Sequence, residues 1–295
     1  MIADKIGIIP NEKKDRNLEN TKNLIKTLSG KPAKIYIGEN YRENFGDFAI
    51  NFAPGDDLYT ACGLLIVLGG DGTILKAAAK ASRNNVPLIG INLGRIGFMS
   101  EIESDELHLL DNLFSGGYEI KSRMMLEAGI IKAGVETNAG MALNDAVVTH
   151  GAQAKLIEIE LARNGAKIAR YMADGVIAAT PTGSTAYSMS AGGPIVDPEI
   201  ECFCVTPICP HSPLNRPLIF AGDSRLEITA KNASSGAYLA IDGQNPIELH
   251  ENDIVSIKKS KFPARFASIK KRGFFDVVRS KFASERNDIT KNRET

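Results

Sequence analysis

Apolar positions along this chain follow two different rhythms. Up to about residue 117, short apolar runs alternate with helix-spaced stretches. Lys5 to Pro10 (KIGIIP), Ala33 to Ile37, Leu64 to Leu68 and Val86 to Leu93 (VPLIGINL) are strand-length runs of nearly unbroken apolar character, as strands buried on both faces require. Leu18, Thr21, Leu24, Ile25 and Leu28 recur every three or four residues, the stripe of an amphipathic helix that Gly30 ends. Ile74 to Ala81 is helix-like too. Ser104 to Leu113 predicts a helix with Ser104 as N-cap and Asp105 and Glu106 in its first turn. Asn11 to Arg16 is polar and loop-like, and Asn40 to Asp57 is irregular, with Pro54-Gly55 as a turn. Strands alternating with helices predict parallel βαβ units, whose ligands bind beyond the carboxyl ends of the strands.

From Tyr118 onward strands dominate. Leu156 to Leu161 (LIEIEL) alternates apolar with acidic residues, as a half-exposed strand does, and Asn164-Gly165 is a hairpin turn signal. Leu226 to Ala230, Tyr238 to Ile241 and Ile254 to Lys258 are further short strands. The pattern therefore predicts an α/β N-terminal domain with a parallel sheet, residues 1–117, and a mainly antiparallel β C-terminal domain, residues 118–269. Phe274 to Phe282 has helical spacing, and the segment 270–285 is expected to pack back on the first domain. Glu285 to Thr295 is charged and expected to fray.

Composition narrows the function classes. The chain has 295 residues, 43% of them hydrophobic, enough for two packed cores. Lys plus Arg equals Asp plus Glu at 35 each, which argues against an electrostatic binder of nucleic acid or membrane. Cys62, Cys202, Cys204 and Cys209 are too few and too uneven for a disulfide framework. They lack zinc-finger spacing as well and read as small hydrophobes. No apolar run approaches a membrane span and the start lacks an export signal, so a cytoplasmic location is expected.

The densest chemistry lies at Gly69-Gly70-Asp71-Gly72-Thr73, where an apolar strand stops and a helix begins. Such a junction offers backbone N–H groups and a positive dipole end to an anion, and Gly69, Gly70, Gly72 and Thr73 are the candidate phosphate binders. The loop is neither a Walker A motif nor a dinucleotide fingerprint, because no Lys-Ser/Thr pair follows and Leu75 stands where a third Gly belongs. A carboxylate in a phosphate cradle repels the ligand unless a metal or a proton transfer needs it, which makes Asp71 the first catalytic candidate. The bland alternative is a tight turn with Asp71 and Thr73 as helix caps.

A second cluster runs from Asp174 to Ser188 (DGVIAATPTGSTAYS). Its hydroxyls donate and accept, Asp174 can accept from a hydroxyl or an exocyclic amine, and Tyr187 offers a face for stacking. Asn144-Asp145 interrupts an apolar stretch. An amide beside a carboxylate can grip a ribose diol or an adenine edge, although the pair alone also reads as a bulge or turn. Asp242-Gly243-Gln244 reads locally as an Asp-Gly hairpin turn. His150 has no obvious partner. His211 beside Ser212 is no hydrolase pair, since G-x-S-x-G is absent, and Arg95 is a possible phosphate clamp or a surface ion-pair residue.

Taken together, Gly69 to Thr73, Asn92 to Phe98, Asn144-Asp145, Asp174 to Tyr187, Ser190 to Pro194, Pro210-His211-Ser212 with Arg216-Pro217, and Asp242-Gly243-Gln244 resemble the NAD kinase family, in family order from about residue 5 to 280. The glycine loop alone is shared with lipid kinases and, more distantly, phosphofructokinases; the Thr180 to Tyr187 run is the part specific to NAD kinases. The resemblance implies NAD bound between an N-terminal α/β and a C-terminal β domain, and phosphoryl transfer from ATP or another donor to the adenosine ribose 2′-hydroxyl. It implies that Asp71 faces that hydroxyl, that Phe98 lies near the adenine, and that Gly72, Asn144, Asp145, Asp174, Thr182, Thr185, Ala186, Tyr187, Ser188, Ser190 and Gln244 hold the dinucleotide. It also implies a divalent metal, Mg²⁺, and a homo-oligomer, a tetramer. The family pair is typically Asn-Glu; Asp145 is one methylene shorter, so reaching a ribose hydroxyl requires a shifted strand or a bridging water. Two other readings share features with this one: a lipid kinase, which calls for an exposed apolar or basic membrane-facing stretch not found here, and a non-catalytic nucleotide-binding regulator, against which retention of Asp71 in the whole loop argues.

Overall fold

The computed structural model describes residues 2–94, 97–151, 156–211, 216–231 and 236–291, with 284–291 as backbone only. The chain forms two compact units, one of residues 1–122 and 264–295 and one of residues 123–263.

The first unit opens with β1 (Lys5–Ile9), α1 (Glu19–Leu28), β2 (Lys34–Gly38), α2 (Arg42–Phe45), β3 (Asn51–Ala53), α3 (Leu58–Ala61), β4 (Leu64–Gly69), α4 (Asp71–Arg83), β5 (Leu88–Asn92), β6 (Ile102–Glu103), α5 (Asn112–Ser115) and β7 (Glu119–Arg123). The second unit contributes β8 (Leu126–Lys132), β9 (Val135–Ala142), β10 (Asp145–His150), β11 (Ile157–Arg163), β12 (Ala166–Ala173), β13 (Gly175–Ala179), α6 (Tyr187–Ser190), β14 (Cys202–Ile208), β15 (Leu218–Ala221), β16 (Leu226–Lys231), β17 (Ala237–Ile241), β18 (Ile247–Leu249) and β19 (Ile254–Lys259). The chain then returns to the first unit as β20 (Ala264–Ser268) and α7 (Phe274–Lys291).

The first unit is an α/β layer structure around an eight-stranded sheet ordered β3-β2-β1-β4-β5-β20-β7, with β6 on β5. The pairs β2–β3, β1–β2, β1–β4, β4–β5, β5–β6 and β5–β20 are all parallel. All six residues of β4 are buried, which is why its sequence is unbroken apolar. Leu24, Ile25 and Leu28 of α1 pack with Ile6, Ile8 and Ile37 of the sheet, each burial contributing about 1.5–3 kcal/mol. The strand order reverses between β1 and β4: the chain goes from β1 outward to β2 and β3, then returns to β1's other side. Loops leaving the carboxyl ends of β1 and β4 therefore diverge in opposite directions and open a crevice.

The second unit is a sandwich of two six-stranded sheets, β15-β14-β13-β10-β17-β18 and β12-β11-β16-β19-β8-β9, whose neighbouring strands run antiparallel. Alternate residues of the first sheet, among them Val148, Val176, Ala178, Phe203 and Val205, meet Leu126, Ile159 and Leu161 of the second in one core. The residues between them, Val147, Ile177, Ala179, Cys202 and Cys204, face the other way and pack with Val196 of the 180–201 segment. This sheet is thus covered on both sides. Cys202 and Cys204 serve there as small buried hydrophobes, while Cys209 is exposed.

Several expectations are revised. The stretch 40–57 contains β3, too short at three residues to show a pattern. The segment from Ser104 is not capped by Ser104; it begins as a 3₁₀ turn at Leu107, after Glu106 turns its carboxylate back to the Glu103 N–H at 2.8 Å. The domain limits move inward on both sides, because Glu119–Arg123 and Ala264–Ser268 are strands of the first unit's sheet and not of the β region. Glu101 ties the returning segment down, its Oε1 accepting from the N–H groups of Ile269 and Lys270 at 2.7 Å each. Helix α7 runs as far as Lys291. No helix among the described residues is long and apolar enough to cross a membrane.

Candidate functional site

In the first unit the glycine loop joins β4 to α4 as the sequence predicts, and the helix starts at Asp71 itself with Gly70 as N-cap. The Asp71 side chain does not cap the helix. Its Oδ2 accepts from the Phe98 N–H at 3.0 Å and its Oδ1 from the Met99 N–H at 3.2 Å. A Cβ at Gly97 would lie 2.2 Å from Asp71 Oδ1, so only a glycine lets the 97–99 backbone close on the carboxylate. The bland reading of Asp71 as a cap is thereby set aside: two amides from another loop aim it.

The loop after β1 supplies what the sequence reading missed. Asn11 Nδ2 donates to Thr73 Oγ1 at 2.6 Å, and Lys14 Nζ lies 2.6 Å from where a Cβ of Gly70 would be. The loop is held in shape by buried Asp15, whose Oδ1 accepts from the Asn20 N–H and Oδ2 from the Thr21 N–H, both at 2.9 Å. An ammonium therefore stands over the glycines because β1 and β4 flank the crevice where the strand order reverses. No spacing rule could have shown this, since the two loops lie 62 residues apart. Phe98 is half-buried, with Lys281 Nζ 4.4 Å from its ring centre. Arg95 lies outside the described residues.

In the second unit Asn144 and Asp145 sit where the chain passes from β9 in one sheet to β10 in the other. Every backbone polar group of Leu143, Asn144 and Asp145 is satisfied. The N–H of Leu143 donates to Asp242 Oδ2 at 2.8 Å, and those of Asn144 and Asp145 donate to Asp242 Oδ1 at 2.8 and 3.1 Å. The Leu143 carbonyl accepts from Thr180 Oγ1 at 2.5 Å, the Asn144 carbonyl from the Thr180 N–H at 2.8 Å, and the Asp145 carbonyl from the Asp242 N–H at 2.9 Å. Gly183 seals the corner, since a Cβ there would lie 2.1 Å from the Asn144 carbonyl oxygen. Asn144 Oδ1 is buried without a hydrogen-bond partner. Asp145 is 6% exposed, and burial pushes its carboxyl up to about 7, the neighbouring Asp242 charge adding to the rise. Burial also raises the Asp242 carboxyl, against the pull of its three N–H donors.

The Asp174 to Ser188 cluster is one stretch in sequence but two places in space. Asp174 precedes β13 and Thr180 follows it, a separation of roughly 20 Å at about 3.3 Å per residue. At Asp174's end lies His150, for which the sequence offered no partner: its Nε2 is 3.8 Å from Asp174 Oδ1, and its Nδ1 lies 2.7 Å from the Gly151 carbonyl oxygen. At the other end lie Asn144, Asp145 and the turn Thr182–Thr185 with α6. There the hydroxyls divide. Ser184 Oγ donates to the Pro181 carbonyl at 2.6 Å, and Ser188 Oγ pairs with Thr206 Oγ1 at 3.1 Å, both fully buried. They shape the turn from within. Tyr187 and Ser190 are exposed, Thr182 and Ala186 half-buried, and Thr185 buried. Gln244 is exposed, just past the Asp242-Gly243 turn. His211 donates its N–H to the Met172 carbonyl at 2.8 Å, a structural tie, and Ser212 lies outside the described residues.

The ATP-NAD kinase N-terminal domain matches residues 55–118 and the ATP-NAD kinase C-terminal domain residues 143–269. The NAD kinase of Thermoanaerobacter sp. (strain X514) is 40% identical over 280 residues, covering 94% of this chain and 98% of its own length. That of Desulforamulus reducens is 36% identical over 290 residues, 96% and 99% of the two chains. Among solved structures, yeast NADH kinase complexed with NADH superposes with a TM-score of 0.84 at 27% identity, covering 95% of this chain and 86% of that one. An NAD kinase from Archaeoglobus fulgidus in complex with ATP gives 0.74 at 26% identity, covering 95% and 99%. With this likeness held over nearly its whole length, the chain belongs to the NAD kinase family.

Proposed function

We propose that this chain phosphorylates the 2′-hydroxyl of the adenosine ribose of NAD, with ATP as donor, giving NADP and ADP. One observation carries the reading: in a chain 40% identical to an NAD kinase over 94% of its length, the carboxylate of the glycine loop is aimed by two amides and left off its own helix cap. Asp71 orients the ribose hydroxyl in line with the γ-phosphorus and accepts its proton as the new P–O bond forms and the bond to the ADP oxygen breaks. A carboxylate is a weak base for an alcohol, but a loose transition state asks for little early deprotonation, so positioning and late proton acceptance suffice. The N–H groups opening α4 hold the donor's phosphates. Asn144 and Asp145 hold the dinucleotide.

An Mg²⁺ ion arriving with the donor is part of the same proposal. No three carboxylates, imidazoles or thiols converge among the described residues. Such an ion would draw most of its ligands from phosphate oxygens and water, and the Asp71 carboxylate and the Thr73 hydroxyl are the loop's own oxygens that would hold it. Bound, it neutralises phosphate charge.

Lys14 is assigned to the donor phosphates. Lys14→Met is expected to raise KM for ATP about 10- to 100-fold, the loss of one charge-assisted hydrogen bond, with KM for NAD unchanged. Lys14→Arg retains most of the affinity, and initial rates over a grid of the two substrates check both. Gly97→Ala, by pushing the Asp71 carboxylate off the Phe98 and Met99 amides, is expected to lower kcat by about 10²-fold, measured beside an unchanged melting temperature.

The reaction is tested by incubating purified protein with NAD, Mg²⁺ and ATP, coupled to an NADP-specific dehydrogenase. Turnover of diacylglycerol in place of NAD would favour the lipid kinase, and NAD binding without turnover the regulator. A homo-oligomer, in family fashion a tetramer, belongs to the same proposal and is checked by light scattering.

A further inference from the structure

We propose that Asp242 is a positioning residue for Asn144 and Asp145: its carboxylate, carried on a two-residue turn, fixes the backbone corner that presents both side chains to the hydroxyls or exocyclic amine of the dinucleotide. This rests on the assignment of that pair to NAD. Asp242 and Gly243, with φ of +47° and +64°, are the left-handed central pair of a tight turn that the Gln244 N–H closes onto the Ile241 carbonyl at 2.9 Å, at the start of the connection 242–246 from β17 to β18; Asp and Gly tolerate this conformation. The turn would be served equally by Asn. An Asp is explained by what lies across the sheet, where three consecutive N–H groups point at one carboxylate. With the three carbonyls held by Thr180 and by Asp242's own N–H, no backbone group of the corner is left to ligand or solvent. The polar groups left over are side chains. Asn144 Oδ1 is buried and unpartnered, a state that costs free energy and is kept where a ligand supplies the donor.

Asp242 also sets the charge environment of Asp145. In the sheet Asp145 faces Ala179 of β13, and its neighbour Ala146 faces Ala178 of β13 and Ile241 of β17, all three neutral. The charged group bearing on Asp145 is Asp242. A residue that served the fold alone would leave the ligand's pH dependence in place, whereas loss of the Asp242 charge is expected to move it.

The test uses Asp242→Asn, which keeps shape and turn, and Asp242→Ala, in the full-length chain. Both are expected to raise KM for NAD at least about tenfold, with KM for ATP and kcat at saturating NAD within about threefold of the parent. In Asp242→Asn the pH at which NAD affinity reaches half its alkaline value falls, because the neighbouring charge is gone. A folded Asp242→Asn chain with parental KM for NAD and parental pH profile overturns the proposal. Amide hydrogen exchange on the unsubstituted chain judges it without any variant or activity: strong protection at Leu143, Asn144 and Asp145 supports the clamp, and exchange at the rate of open loops overturns it. A chain that makes no NADP yet protects these three amides sinks the NAD kinase reading and leaves the clamp standing.

Discussion

Asp71→Asn is expected to lower kcat by about 10²–10⁴, the range of a positioned acid–base group, while KM for NAD stays within about twofold. Both carboxylate oxygens accept an amide proton, one from Phe98 and one from Met99. An Asn in the same place must turn its NH₂ toward one of those donors, so it loses an acceptor and the basic oxygen together. The substrate contacts assigned to the other unit are untouched, which is why the effect belongs to kcat. Steady-state kinetics with NAD varied at saturating ATP makes the comparison, and turnover near the parental rate would remove Asp71 from the chemistry. Gly97→Ala moves the same carboxylate without changing it. The two variants should fail alike in kcat, differing in that the alanine keeps a carboxylate able to act from the wrong position.

Asp145→Asn is expected to stabilise the ligand-free chain at pH 8 and to weaken NAD. Burial pushes the folded carboxyl up to about 7, against an ordinary value of 3.8. Below the lower value both folded and unfolded chains are protonated and nothing is lost. Between the two, the folded chain keeps a proton that the unfolded chain has released, so stability falls as pH rises, by about 1.4 kcal/mol per unit. Above about 7 the full cost, on the order of 4 kcal/mol, is in place. A neutral Asn removes it, so the variant's gain in melting temperature should be several degrees at pH 8 and near zero at pH 4. Binding runs the other way. A ribose hydroxyl donates best to the ionised carboxylate, so parental affinity for NAD should rise with pH through about 7 and then level, and the Asn variant should show no such step. Equal melting temperatures of the two chains at pH 8 would show that burial does not tax the carboxylate. A pH-independent KM in the parent would show that the shorter Asp does not meet the ligand.

What could be read in advance depended on range. The α/β rhythm, β4 and the glycine turn were legible because burial on both faces leaves an unbroken apolar run and a strand-to-helix turn needs its glycines within a few residues. The Asn164-Gly165 hairpin was legible for the same reason: register and turn are neighbours in the chain. Residues recruited across the fold were not. Lys14 sits in a stretch that reads only as a polar loop, and its place over Gly70 follows from β1 lying beside β4. Asp242 shows a turn signal and nothing of its grip on residues 97 to 99 positions away.

By itself, then, the sequence determined the two fold classes, the acid in the glycine loop and, through motif order, the family. These are local or cumulative properties, written into periodicity, turn chemistry and spacing. Tertiary structure decided which of the candidate groups are free to act. It aimed Asp71 with amides from another loop, turned Ser184 and Ser188 inward, sent Asp174 to the far end of β13 beside His150, and clamped the Asn144–Asp145 corner until only its side chains remained unspent. The reason is physical. A side chain's chemistry belongs to the residue, but whether its hydrogen bonds are already satisfied depends on neighbours that only the folded chain brings within about 3 Å.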